Sequence, residues 1–175
     1  INSVVQKGIN DHTITDLAKY FINQGHIVRF IEYMDVGTLN NWNMNHVVTA
    51  KDIISKINET IPVKAIKAKY QGEVAKRYRE INGTGEIGVI ASVTNPFCGD
   101  CTRLRLSPEG SLYTCLFGTK GTDLRGPIRD GASDQELVEI ISNTWRVRND
   151  RYSETRNINA DKTNDKKVEM YHIGG

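Results

Sequence analysis

Residues 1 to 34 limit the architecture more than any other stretch of the chain. The apolar run INSVVQ (1–6) has the composition of a strand, and the turn residues KGINDH follow it. Ile14, Leu17, Ala18 and Phe21 then recur at helical spacing up to Gly25, a residue type that commonly ends helices. HIVRFIEYM (26–34) is a second β-branched and aromatic run. A strand, a helix and a strand joined this closely predict a βαβ unit with parallel, neighbouring strands, because parallel neighbours are reached only through a crossover. Ligands of such sheets collect at the C-terminal ends of the strands, here near Lys7 and near Glu32 to Asp35.

The Gly- and Asn-rich loop VGTLNNWNMNHV interrupts the pattern. Thr49 followed three residues later by Asp52 predicts a capped helix, with Ile53, Ile54 and Ile57 on its buried face. From Pro62 the character changes. VKAIKAKY, EVAKRYR, EIGVIASV and RLRLSPEGSLYTCLF read as strands separated by NGTG and PEG turns, which predicts antiparallel pairing. A last helix is expected from the Ser133/Glu136 capping box, burying Leu137, Ile140, Ile141 and Trp145. Residues 147–167 are polar and are expected to run extended over the surface, before a short strand VEMYHI and the terminal Gly174 and Gly175. The expected division is an α/β part over 1–61 and a mostly antiparallel β part with a few helices over 62–175.

Lys and Arg total 23 against 21 Asp and Glu, a net charge of +2 that is too balanced to make nucleic acid or an anionic membrane the principal partner. The longest apolar runs, such as IGVIASV, are too short to cross a bilayer, and no signal segment opens the chain, so a cytoplasmic protein is expected. The first residues lack Met and read as a strand already under way, the expectation for part of a longer protein.

All three cysteines lie in NPFCGDCTRLRLSPEGSLYTCLFG (95–118). Cys98 and Cys101 are separated by two residues, and Cys115 follows after thirteen more, across a predicted hairpin that folds it back toward the pair. Small buried apolar side chains are the plainest use of free cysteines, and the odd count disfavours disulfides. A C-x-x-C pair bounded by Pro and Gly is instead loop chemistry and points to metal. One form is zinc, with His172 as a fourth ligand; the other is an iron-sulfur cluster, in which three cysteines leave one iron open to a substrate. Arg103 and Arg105 alternate along the adjoining strand and would share a face. Paired guanidinium groups suit an anion such as a nucleoside triphosphate, although surface arginines also occur at this spacing. In the first part, Ile27, Arg29 and Ile31 share one strand face, where an Arg among apolar neighbours calls for an anion or for an ion pair with Glu32 or Asp35.

FCGDCTRLRLSPEGSLYTCLFG, the upstream RFIEYMDVG with its following Asn-Trp, and the terminal IGG together resemble the MoaA-type GTP 3′,8-cyclases, radical S-adenosylmethionine enzymes of molybdenum cofactor biosynthesis. The resemblance runs from the first residue to the last and matches the family pattern F-C-x-x-C-x-R-x-R-L, the third cysteine and the Gly-Gly end. It implies that Cys98, Cys101 and Cys115 hold the family's second 4Fe-4S cluster, whose free iron touches guanine, and that Arg103 and Arg105 bind GTP. It implies roles beside S-adenosylmethionine for Arg29 and Met34, and a place in the active-site cavity for Gly174 and Gly175. Met34 equally suits core packing, and two terminal glycines equally suit a flexible end.

The C-x-x-x-C-x-x-C motif of the family's S-adenosylmethionine-cleaving cluster is absent. The chain therefore resembles a C-terminal portion: the end of a TIM-like (β/α) barrel, followed by a cluster- and GTP-binding domain. It is expected to be inactive alone. The resemblance further implies a homodimeric full-length lyase, in which a 5′-deoxyadenosyl radical removes a ribose hydrogen and the ribose carbon then attacks guanine C8. Its product, 3′,8-cyclo-7,8-dihydro-GTP, would pass to the cyclic pyranopterin monophosphate synthase of the same pathway. Two rival classes use single features of the chain. A zinc-dependent structural or nucleic-acid module would use the cysteines with His172, and a ubiquitin-like carrier would use only the Gly-Gly end.

Overall fold

The computed structural model describes residues 1–159 and 167–173. Two compact units are present, one of Ile1–Met34 with Trp42–Cys101 and one of Asp35–Asn41 with Thr102–Gly175.

The first unit is built on a five-stranded sheet in the order β1-β2-β5-β4-β3. β1 (Asn2–Val5) and β2 (Val28–Glu32) are parallel, with Asn2 opposite Arg29, and α1 (Ile14–Asn23) makes the crossover. Ile14 and Ala18 are buried on α1, and Gly25 takes φ +73° just beyond its end, a left-handed conformation that glycine adopts without a Cβ clash. The predicted capping box forms at Thr49 and Asp52, and α2 (Ala50–Asn58) buries Ile53 and Ile57. Both helices pack onto the sheet face carrying Val28, Phe30, Ile87 and Val89, which makes one continuous apolar core.

β3 (Val63–Ile66), β4 (Lys76–Glu80) and β5 (Glu86–Ile90) pair antiparallel as expected, but β5 also pairs parallel with β2, placing Arg29 opposite Gly88. The strands after Pro62 therefore extend the βαβ sheet instead of starting a separate one. Burial accompanies this: Ile87 and Val89 are buried on the core face, and Gly88 on the other face lies under the stem of Arg29 and beside Ala75. Residue 61 does not separate parallel from antiparallel pairing, since β5 beyond it pairs parallel with β2.

In the second unit β6 (Arg105–Leu106), β7 (Ser111–Tyr113) and β8 (Thr122–Asp123) form an antiparallel sheet. α3 (Arg125–Arg129) follows, then α4 (Asp134–Arg146), capped by Ser133 and Glu136 as predicted. The structure corrects three expectations here. Leu137, Ile140, Ile141 and Trp145 are only half-buried, since α4 overlies an open groove lined by Thr102, Leu104 and Trp145. The polar stretch after residue 147 contains a helix, α5 (Tyr152–Asn159). VEMYHI forms a single 3-10 turn at Met170–His172, closed by His172 N–H to Glu169 O and Ile173 N–H to Met170 O. Its one fully buried apolar side chain is Ile173, too little to specify a strand face. The fold class is mixed α/β. No helix among the described residues is long and apolar enough to cross a membrane.

Candidate cysteine and arginine site

The C-terminal end of β2 carries a fully buried carboxylate, Glu32. Oε1 accepts from Ala50 N (2.7 Å) and Thr94 Oγ1 (2.5 Å), and Oε2 from Val93 N and Thr94 N (2.8 Å each). Ala50 is the first residue of α2, so the helix N-terminus, with its partial positive charge, faces the carboxylate. A buried charge is tolerated only when satisfied in this way. Glu32 thus ties β2 and α2 to the turn at Val93–Thr94, from which the chain runs into the Cys98 loop.

Cys98 opens a single 3-10 turn, Cys98–Asp100, closed by Cys101 N–H to Cys98 O at 3.4 Å. Cys98 is half-buried and Cys101 buried. Phe97 and Asp100 help line a cavity of about 290 Å³ with Tyr70, Gly72 and Glu73. Cys115 lies in the second unit, in a turn closed by Gly118 N–H to Cys115 O (3.1 Å), with Phe117 N 3.5 Å from its Sγ. All three thiols are free of disulfides. Among the described residues, no three His, Cys, Asp or Glu side chains are grouped as metal ligands. Within the first unit, the C-x-x-C pair on one turn supplies two soft thiol donors of the kind that zinc and iron-sulfur clusters use.

Arg105 opens β6 opposite Tyr113, while Arg103 precedes the strand, so alternation along a strand does not set their shared face; both are half-buried. Arg29 corrects a second expectation. Alternation along β2 holds, with Val28, Phe30 and Glu32 buried, but Arg29 is exposed and Ile31 only half-buried. An exposed guanidinium is hydrated and needs no buried anion. Its stem lies over Gly88, where a Cβ would come within 3.1 Å of Arg29 Cγ. Met34, just past β2, is half-buried. His172 contacts Glu109 through Nε2 at 2.6 Å, which leaves Nδ1 as its other ring nitrogen. Gly174 and Gly175 lie outside the described residues.

The sequence reading missed a network around Asp35. Its buried carboxylate accepts from Tyr152 Oη (2.6 Å), Arg156 Nε (2.8 Å) and Lys167 Nζ (2.9 Å). The Tyr152 ring stacks on Phe117 at 4.4 Å, two residues after Cys115. This network is why the polar stretch after residue 147 folds as α5: its polar side chains meet a buried partner that no local pattern reveals. Burial opposes the charged form of Asp35, but Tyr152, Lys167 and Arg156 together hold its pKa below the ordinary carboxyl value. A depressed folded-state pKa contributes stability that is complete above the unfolded value, ~3.9, and is lost as pH falls through the lower folded value. The second unit is therefore expected to weaken as pH drops below about 4, and Asp35→Asn should flatten that dependence. Thermal melts followed by Trp145 fluorescence check it; an acid limb identical in Asp35→Asn would remove Asp35 as the cause.

Residues 26–154 match the family described as Molybdenum Cofactor Synthesis C. Over its whole length the chain is 43% identical to the GTP 3′,8-cyclase of Acidothermus cellulolyticus, covering 55% of that protein. It is 44% identical to the GTP 3′,8-cyclase of Xanthomonas axonopodis pv. citri, covering 51% of it, and 42% identical to that of Staphylococcus epidermidis, covering 52%. The chain spans about half the length of the curated relatives it matches.

Proposed function

We propose, from the premise that the chain belongs to the Molybdenum Cofactor Synthesis C family, that it is the C-terminal portion of a GTP 3′,8-cyclase and carries the substrate side of that reaction. The observation that carries this is identity above 40% to named cyclases over the whole chain, joined to the ordered motif FCGDCTRLRL (97–106). Cys98, Cys101 and Cys115 are the ligands of a 4Fe-4S cluster. Such a cluster, bound by three cysteines, supplies an iron with an open coordination position. Arg103 and Arg105 hold the anionic substrate GTP, Arg29 and Met34 stand on the S-adenosylmethionine side, and Gly174 and Gly175 enter the reaction site. The protein's share is to hold GTP in a reactive geometry and keep competing reactions away. The parallel strands β1 and β2 with α1 form the end of a TIM-like barrel. The rest of the barrel and the S-adenosylmethionine-cleaving cluster belong to the longer protein, so this chain alone forms no product. The full-length lyase acts as a homodimer and hands 3′,8-cyclo-7,8-dihydro-GTP to the next enzyme.

Equilibrium GTP binding by the full-length enzyme tests the substrate assignment. Arg103→Ala or Arg105→Ala should each weaken binding by about 1–3 kcal/mol, the range for losing a charge-assisted hydrogen bond. Lys should rescue only in part, because an ammonium lacks the planar fork. Unchanged affinity in both Ala variants would remove these residues from the site.

A further inference from the structure

We infer that the segment 148–156 brackets the turn at Cys115 and fixes the direction of that thiol, with Phe117, Asp150 and Tyr152 as positioning residues. That role rests on the proposal that Cys115 is a cluster ligand, and every residue of the bracket belongs to the second unit. Just before Cys115, Thr114 is held twice. Its hydroxyl donates to Asp150 Oδ2 (2.5 Å), and its carbonyl accepts from Arg148 Nε (3.3 Å). Arg148 also pairs with Asp150 at 3.6 Å, which joins the two holds. Just after Cys115, the Phe117 ring stacks on Tyr152, with centroids 4.4 Å and planes 18° apart. Arg156 Cζ stands 5.5 Å from the Phe117 ring centroid and 5.8 Å from that of Tyr152. Tyr152 and Arg156 are themselves fixed on the buried Asp35 carboxylate, at 2.6 Å and 2.8 Å.

Between these holds, Phe117 N–H is directed at Cys115 Sγ (3.5 Å), and Gly118 N–H closes the turn on Cys115 O (3.1 Å). The Phe117 donor is a backbone group, so its aim depends on where the ring is anchored. Groups just outside the ligands orient them, and hydrogen bonds to ligand sulfur help set the potential of an iron-sulfur cluster. Ordering a polar segment such as 148–156 costs backbone and side-chain entropy. Here its charged and aromatic side chains converge on the two flanks of one cysteine, a distribution that solvation of a surface segment does not call for.

The test uses the full-length enzyme with the cysteines of its C-x-x-x-C-x-x-C motif replaced by Ala, so that a single cluster is read. Its readouts are iron content, the rate of iron loss to a chelator, and the midpoint potential from a redox titration followed by electron paramagnetic resonance. Phe117→Leu keeps the amide and much of the apolar bulk but loses the stacked ring. It should speed iron loss about tenfold or more, the scale for groups that orient metal ligands. It should also lower the midpoint potential, because a donor on sulfur favours the reduced, more negative cluster. Asp150→Ala, which frees Thr114, should act in the same direction, while Phe117→Tyr keeps a ring to stack and should stay near the parent. Ser133→Ala removes the cap of α4 in the same unit and should move neither the potential nor the rate. Parent values in both Phe117→Leu and Asp150→Ala overturn the bracket; equal shifts in Ser133→Ala also overturn it, by tracing the effect to general loosening of the unit. Iron content separates these results from failure of the underlying proposal. If Cys115→Ala keeps its cluster, Cys115 is no ligand and the bracket's role falls with it; if Cys115→Ala loses the cluster while the bracket variants match the parent, only the bracket is refuted.

Discussion

Glu32→Ala is expected to destabilise the first unit by about 3–5 kcal/mol, the cost of leaving buried polar partners unsatisfied together with a cavity. Three backbone N–H groups, of Ala50, Val93 and Thr94, and the Thr94 hydroxyl would lose their acceptor at a site where Glu32 itself is fully buried. Glu32→Gln keeps the shape but points an NH₂ at one set of donors and removes the charge that the α2 N-terminus favours, so it should be milder yet still clearly destabilising. The two tryptophans make the measurement direct. Trp42, whose indole donates to Tyr33 O at 2.8 Å, lies in the first unit and Trp145 in the second. In a Trp145→Phe background, urea unfolding followed by fluorescence reports on the first unit alone. A loss below about 1 kcal/mol, the size of a single ordinary hydrogen bond, would mean that water replaces the carboxylate and that Glu32 is no anchor.

Cys115→Ala should abolish iron binding by the chain, and Cys98→Ala or Cys101→Ala should do the same, because each leaves the proposed cluster with only two protein ligands. His172→Ala, by contrast, should leave iron content unchanged, since the proposed cluster takes its protein ligands from the three cysteines alone. Iron and acid-labile sulfide measured after anaerobic reconstitution distinguish these cases. Retained iron in Cys115→Ala would break the link between the third cysteine and the C-x-x-C pair; iron lost in His172→Ala would make His172 a ligand after all.

Local signals in the sequence were enough where a residue's role depends on its neighbours along the chain. The capping boxes at Thr49 and Ser133, the stop at Gly25 and the parallel β1-β2 pair all formed as the spacing predicts. What was not legible depends on partners far away in sequence. The parallel pairing of β5 with β2 was written in the unbroken apolar run IGVIASV, a central-strand pattern that turn counting overrode. Helix α5 was hidden because Tyr152 and Arg156 fold against Asp35, more than a hundred residues away. For Arg29, alternation gave the correct face, but which face is open depends on where α1 and α2 pack, which the strand alone does not say. Glu32 was placed at the ligand end of β2, but its role as a buried anchor was not read, although a usable signal for it exists. Glu32 alternates with Val28 and Phe30 on the core face, and a carboxylate in that position demands buried donors.

Whether the three cysteines of this chain hold an iron-sulfur cluster on the substrate side of a GTP cyclase turns on the iron, sulfide and zinc content of the anaerobically reconstituted chain. About four irons and four sulfides per chain are expected, as one 4Fe-4S cluster requires, with brown absorption. Stoichiometric zinc in an iron-replete, colourless preparation would contradict it.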